Sequence, residues 1–83
     1  MNKKLTQAVF DLPECGDDAL SAHVESDGRA FANTVTRDYL EPHEDEWLVV
    51  GMPRGVGVVT QYYLGSGYDT TNWQQSAIDR GEE

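Results

Sequence analysis

The chain has 83 residues, with 15 Asp and Glu against 6 Lys and Arg and a formal net charge of −9. That length holds one domain, 1–83, with a small core, and that charge repels phosphate backbones and anionic lipid, which disfavours nucleic-acid and membrane binding and suits a partner with a basic surface. A single cysteine, Cys15, excludes a disulfide scaffold and any multi-cysteine zinc site, and a hydrophobic content of 39% is too high for a disordered chain.

Met1-Asn2-Lys3-Lys4-Leu5 opens like a signal peptide but runs into Thr6, Gln7 and Asp11 instead of an apolar stretch. No stretch approaches membrane-spanning length, so a soluble protein of a reducing, cytoplasmic compartment is expected. Residues 3–12 read as a short strand or a single helical turn ended by Pro13, and residues 11–18 as loop. Ser26-Asp27-Gly28-Arg29 predicts a hairpin with a two-residue type I′ turn. That register sets Val24 opposite Phe31, Ala22 opposite Asn33 and Leu20 opposite Val35. One face is then apolar except at Asn33, and His23, Glu25, Ala30 and Thr34 take the other.

Glu41-Pro42-His43-Glu44-Asp45-Glu46 reads as a solvated acidic loop. Residues 47–52 and 56–64 are β-branched and aromatic and predict a second hairpin around Met52-Pro53-Arg54-Gly55. Their nearly continuous apolar run implies burial on both faces, or one face kept for a partner. After the break at Gly65-Ser66-Gly67, residues 68–80 suit a short helix with Asp69 as its N-cap and Gly81 at its end, provided that Trp73, Ala77 or Ile78 docks it. The expected fold is thus α+β or all-β, a small antiparallel β-meander of two hairpins with a short C-terminal helix or tail.

Metal-ligating residue types crowd at His43 beside Glu41, Glu44, Asp45 and Glu46. Consecutive loop residues point in different directions and no second His or Cys stands at ligand spacing, so no metal or cofactor is expected and the run reads as a negative surface. Cys15, between Glu14 and Asp17, is disfavoured as a thiolate, although a pairing with His23 or His43 stays open. Gly55-Val56-Gly57 and Gly65-Ser66-Gly67 lack the strand-to-helix context and following lysine of a phosphate loop. The aromatic residues Trp47, Tyr62, Tyr63, Tyr68 and Trp73 are the other distinctive group, and Tyr62 and Tyr63, adjacent on one strand, must point to opposite faces. A partner-binding surface is expected at Glu41, Glu44, Asp45, Glu46, Trp47, Tyr62 and Tyr63.

The two ends carry a pattern. Lys4-Leu5-Thr6-Gln7-Ala8-Val9-Phe10-Asp11 and Gly65-Ser66-Gly67-Tyr68-Asp69-Thr70-Thr71-Asn72-Trp73-Gln74-Gln75-Ser76-Ala77-Ile78-Asp79-Arg80, with the Asp27-Gly28 turn between them, resemble small accessory proteins of enterobacterial (lambdoid) phages and prophages. The segment from Tyr39 to Tyr63 lies outside the resemblance. It implies a bacterial host cytoplasm and a phage or prophage origin, and supplies no activity and no catalytic residue. Together these features predict a non-enzymatic protein that engages a host protein with a basic surface, as small acidic phage inhibitors of host defence or nucleic-acid machinery do. Self-association into a homo-oligomeric assembly module is a second expectation, and a small enzyme of unknown type a third.

Overall fold

The structure, a computed structural model, describes residues 3–51 and 58–81. Among the described residues there are six strands, β1 (Ser21–Val24), β2 (Ala30–Asn33), β3 (Leu40–His43), β4 (Glu46–Val49), β5 (Gln61–Gly65) and β6 (Ile78–Asp79), with 3₁₀ turns at Gln7–Asp11, Arg37–Tyr39 and Trp73–Gln75. They form a four-stranded sheet in the order β5-β2-β1-β6 and a separate β3-β4 hairpin, antiparallel throughout. This is the small antiparallel β architecture expected from the sequence.

The β1-β2 connection differs from the expected turn. The Glu25 amide donates to the Arg29 carbonyl and the Gly28 amide to the Glu25 carbonyl, which encloses three residues, with Gly28 alone at positive φ, +91°. A type I′ turn needs positive φ at Asp27 as well. Asp27 instead accepts from the Arg29 amide through its side chain. The extra loop residue shifts the register by one, pairing Ser21 with Asn33, Ala22 with Ala32, His23 with Phe31 and Val24 with Ala30. Such a slip turns every β2 side chain over, so Phe31 and Asn33 join His23 on one face while Ala30 and Ala32 join Ala22 and Val24 on the other.

The expected acidic loop is a hairpin. Leu40 pairs with Val49, Glu41 with Leu48, Pro42 with Trp47 and His43 with Glu46. Leu40 and Trp47 are buried while Glu41, His43, Glu46 and Leu48 are exposed, so the period-two alternation of a half-buried strand lies beneath the charge. Strand β4 therefore pairs with β3, and β5 with β2, where the sequence predicted a hairpin of 47–52 with 56–64. The turn proposed at Met52-Pro53-Arg54-Gly55 lies outside the described residues, as does Gly55-Val56-Gly57.

The C-terminal segment is a tail with one 3₁₀ turn and the two-residue strand β6, not a helix. Asp69 accepts from the Thr71 amide and hydroxyl, which closes a local turn at the point where a helix would have begun. Pairing of Ile78 and Asp79 with β1 replaces helical hydrogen bonds that a segment this short sustains poorly. The two ends of the chain meet here. Lys3 donates its amide to the Gly67 carbonyl and accepts from the Asp69 amide, and Gln7 bridges the Asp79 carbonyl and the Gly81 amide through its side chain. Arg80 donates to the Ala19 and Gly16 carbonyls and lies over the Phe10 ring.

Two cores result. Ala22, Val24, Ala30, Ala32 and Leu64 of the four-stranded sheet pack against Val9, Phe10, Cys15, Ala19 and Tyr68. On the opposite side a smaller cluster of Val35, Leu40, Trp47 and Ala77, flanked by Tyr39, Val49, Val59 and Trp73, seats the β3-β4 hairpin.

Candidate functional site

The face of the sheet beneath the hairpin is polar and aromatic. Ser21, Asn33 and Gln61 stand in one cross-strand row of β1, β2 and β5, and His23, Phe31 and Tyr63 in the next. The Ser21 hydroxyl donates to the Val35 carbonyl at 2.6 Å. The Gln61 amide donates to Asn33 Oδ1 at 2.9 Å, so Asn33 Nδ2 is left to face Ser21 Oγ at 3.4 Å and His23 Nδ1 at 3.0 Å. This network makes Nδ1 an acceptor and places the imidazole proton on Nε2.

His23 is completely buried, and its Nε2 has no hydrogen-bond partner. The nearest carboxylate oxygen, Glu25 Oε2, is 3.8 Å away, too far for a hydrogen bond. Burial lowers the His23 pKa from 6.5 to about 4, so the ring is neutral at physiological pH. Glu25, 8% exposed, is pushed upward, first by burial and then by Glu46 and Asp27, against the lowering effects of the Trp47 amide and Arg29. Its Oε2 accepts the Trp47 amide at 2.7 Å.

Trp47 is the hairpin's anchor. It is 8% exposed, and its indole N–H points between the Val24 carbonyl at 3.0 Å and the Trp73 carbonyl at 3.1 Å. From it a row of rings crosses the sheet: Trp47 to His23 at 5.7 Å, His23 to Phe31 at 5.8 Å and Phe31 to Tyr63 at 5.5 Å. The row emerges at Tyr63, which is 52% exposed.

The residues expected at a binding surface thus separate. Glu41, Glu44, Asp45 and Glu46 share the exposed side and turn of the hairpin, and the Ser26 amide donates to the Asp45 carbonyl, bringing Asp27 and Glu25 of the neighbouring turn alongside. Trp47 lies beneath this acidic ridge and contributes anchoring, not exposed contact area. Tyr63 sits at the far end of the aromatic row. Tyr62 points through the opposite face, packs on the apolar core and donates its hydroxyl to Asp18 at 2.6 Å. Sequence reasoning placed His23 and Glu25 together on one face but set Phe31 and Asn33 on the opposite one. The available signal was Asn33, the single polar residue on the expected apolar face, which marked the register as one residue out.

No family model, curated protein or solved structure matches the chain. The local chemistry therefore rests on this geometry. Among the described residues no three His, Cys, Asp or Glu side chains come together to hold a metal ion, and no helix is long and apolar enough to cross a membrane. Cys15 is buried on the apolar face, opposite His23, and its thiol is pushed upward chiefly by burial. Two open clefts, of about 390 and about 340 Å³, flank the segment from Asn72 to Ala77, and neither is lined by His23, Glu25 or Cys15.

Proposed function

We propose that the protein acts by binding a protein with a basic surface and carries out no chemistry of its own. The observation that carries this reading is an imbalance in ion pairing. Glu41, Glu44, Asp45 and Glu46 form no ion pair among the described residues, whereas Arg29 is held by Asp27, Arg37 by Asp79, and Arg80 by backbone carbonyls and the Phe10 ring. The hairpin's negative field is left for an external cation. Tyr63, exposed at the far end of the aromatic row, offers a separate aromatic contact. The resemblance of the two ends to small phage and prophage proteins favours a host partner in the bacterial cytoplasm, and inhibition of host defence or nucleic-acid machinery is the role we assign.

Capture from an enterobacterial lysate tests this with the wild-type chain and a variant carrying Glu41→Gln, Glu44→Gln, Asp45→Asn and Glu46→Gln. A basic protein retained by the wild type, released by salt and absent with the variant is the expected result. Identical retention by both chains overturns the electrostatic reading.

Self-association is the second reading, favoured by the position of β5. It forms one edge of the four-stranded sheet and carries the exposed Tyr63. Light scattering over a range of concentrations separates the two, since an unchanging monomer mass rules out assembly.

A further inference from the structure

The hairpin that carries the acidic ridge is seated on a histidine that accepts a proton poorly where it lies. His23 is fully buried between the sheet and Trp47, its Nδ1 is occupied by Asn33, and its Nε2 faces no acceptor within hydrogen-bond distance. An imidazolium in that position would be a buried charge without a bonded counter-ion, which costs several kcal/mol unless the site opens to water. The face of β1 and β2 opposite His23 is closed by the main core. The face toward water is closed by Trp47, whose layer rests on the smaller cluster and on three polar ties: its own amide to Glu25, its indole to the Val24 and Trp73 carbonyls, and the Ser26 amide to Asp45.

We propose that His23 is a proton-operated latch: taking up a proton lifts the β3-β4 hairpin and its acidic ridge from the sheet while the four-stranded sheet stays folded. The latch belongs to the chain alone and does not depend on the binding reading.

The charged groups around it set the direction. On β1 Glu25 faces Nε2; on the β1-β2 turn Asp27 and Arg29, and on β4 Glu46, act on Glu25; on β2 Asn33 faces Nδ1. His23 binds a proton more weakly when closed, at about 4, than when open, at 6.5, so falling pH favours the open form between those values. Glu25 has the opposite sign: its raised pKa means the closed form holds its proton more tightly, which resists opening. The two groups therefore oppose each other, and the His23 shift is the large one.

The test is NMR of the full, isotopically labelled chain from pH 7 to pH 4, reading the His23 ring nitrogens, the Trp47 amide and indole protons, and the amides of Ala22 and Ala32. Once corrected for intrinsic exchange, protection at Trp47 is expected to fall about tenfold per pH unit, while Ala22 and Ala32 keep theirs. His23→Phe should remove the pH dependence at Trp47, and Glu25→Gln, which keeps an acceptor for the Trp47 amide, should steepen it at the acid end. Equal loss at Trp47 and Ala32, or a His23→Phe chain that behaves as the wild type, overturns the proposal. Should His23→Phe fail to fold, the wild-type ring decides: a titration near 6.5 with Trp47 still protected overturns the latch, and a ring neutral down to the pH at which Trp47 opens supports it.

Discussion

On one face of the four-stranded sheet, Ala22, Val24, Ala30, Ala32 and Leu64 meet Val9, Phe10 and Tyr68; on the other, Ser21, His23 and Asn33 lie under Trp47. The same strands build both faces, yet the first is closed by small apolar side chains and the joined ends of the chain. The second is closed by a detachable hairpin over a polar network with one donor unsatisfied. Hydrophobic burial needs no particular proton state, whereas a buried polar row holds only in the protonation state that satisfies it. The apolar face therefore carries the stability, and the polar face carries the response to conditions.

The contrast is tested most severely by one truncation on each side. Leu64→Ala should cost about 2–5 kcal/mol, which is most of the stability of a chain this short, and should unfold the whole domain in a denaturant titration. Leu40→Ala, beneath the hairpin, should cost about 2 kcal/mol and leave the far-ultraviolet signal of the sheet largely intact. Equal, global losses would mean that the two faces form one cooperative core.

Next comes pH. The unfolded chain takes up a proton at His23 near 6.5 and the folded chain only near 4, so stability present above pH 6.5 is lost as pH falls toward 4. The shift corresponds to an upper limit of about 3 kcal/mol. Glu25 acts in the other direction, because its raised pKa favours the folded form on protonation. Denaturation midpoints measured at steps between pH 7 and pH 4 should fall for the wild type and stay flatter for His23→Phe. Parallel curves would show that His23 is not the group responsible.

Asn33→Ala should have a smaller effect, about 1–3 kcal/mol, because it strands Gln61, Ser21 and the His23 Nδ1 acceptor together. It also frees the ring to change tautomer. A neutral His23 with its proton moved to Nδ1, seen in nitrogen shifts, would confirm that Asn33 sets the Nε2–H form; an unchanged tautomer would assign that role elsewhere.

Much of the architecture was readable in the sequence, and the misreadings have physical causes. The Asp27-Gly28 pair marks a turn correctly, but dipeptide chemistry does not count loop residues. Three-residue and two-residue hairpins share the Gly28 requirement and differ by one step of register. Charge hid the β3 strand, because Leu40-Glu41-Pro42-His43 alternates as a half-buried strand must while Glu44 to Glu46 dominates the local composition. The acidic ridge itself needed only composition to be seen. Its footing on His23 and Glu25 did not follow, since it depends on which face of β1 the hairpin covers, and that contact is set between segments distant in sequence. The terminal pattern has a structural explanation of its own: Gln7, Tyr68, Asp69 and Arg80 each tie the two ends of the chain together, and Ser76 ties the tail to β1.

The smallest expected effect is a gain. Glu44 occupies the turn between β3 and β4 with φ of +55°, the one residue other than glycine among those described at positive φ. A side chain there costs about 1 kcal/mol relative to glycine, offset in part by the greater freedom glycine has when unfolded. Glu44→Gly should therefore stabilise the hairpin by less than about 1 kcal/mol, visible as slower exchange at Trp47 with no change at Ala32. The same substitution removes one carboxylate from the acidic ridge. If Glu44 is kept for its charge, the variant should be more stable and capture a basic partner less well. If stability and capture rise together, the hairpin's order matters to binding more than this carboxylate does.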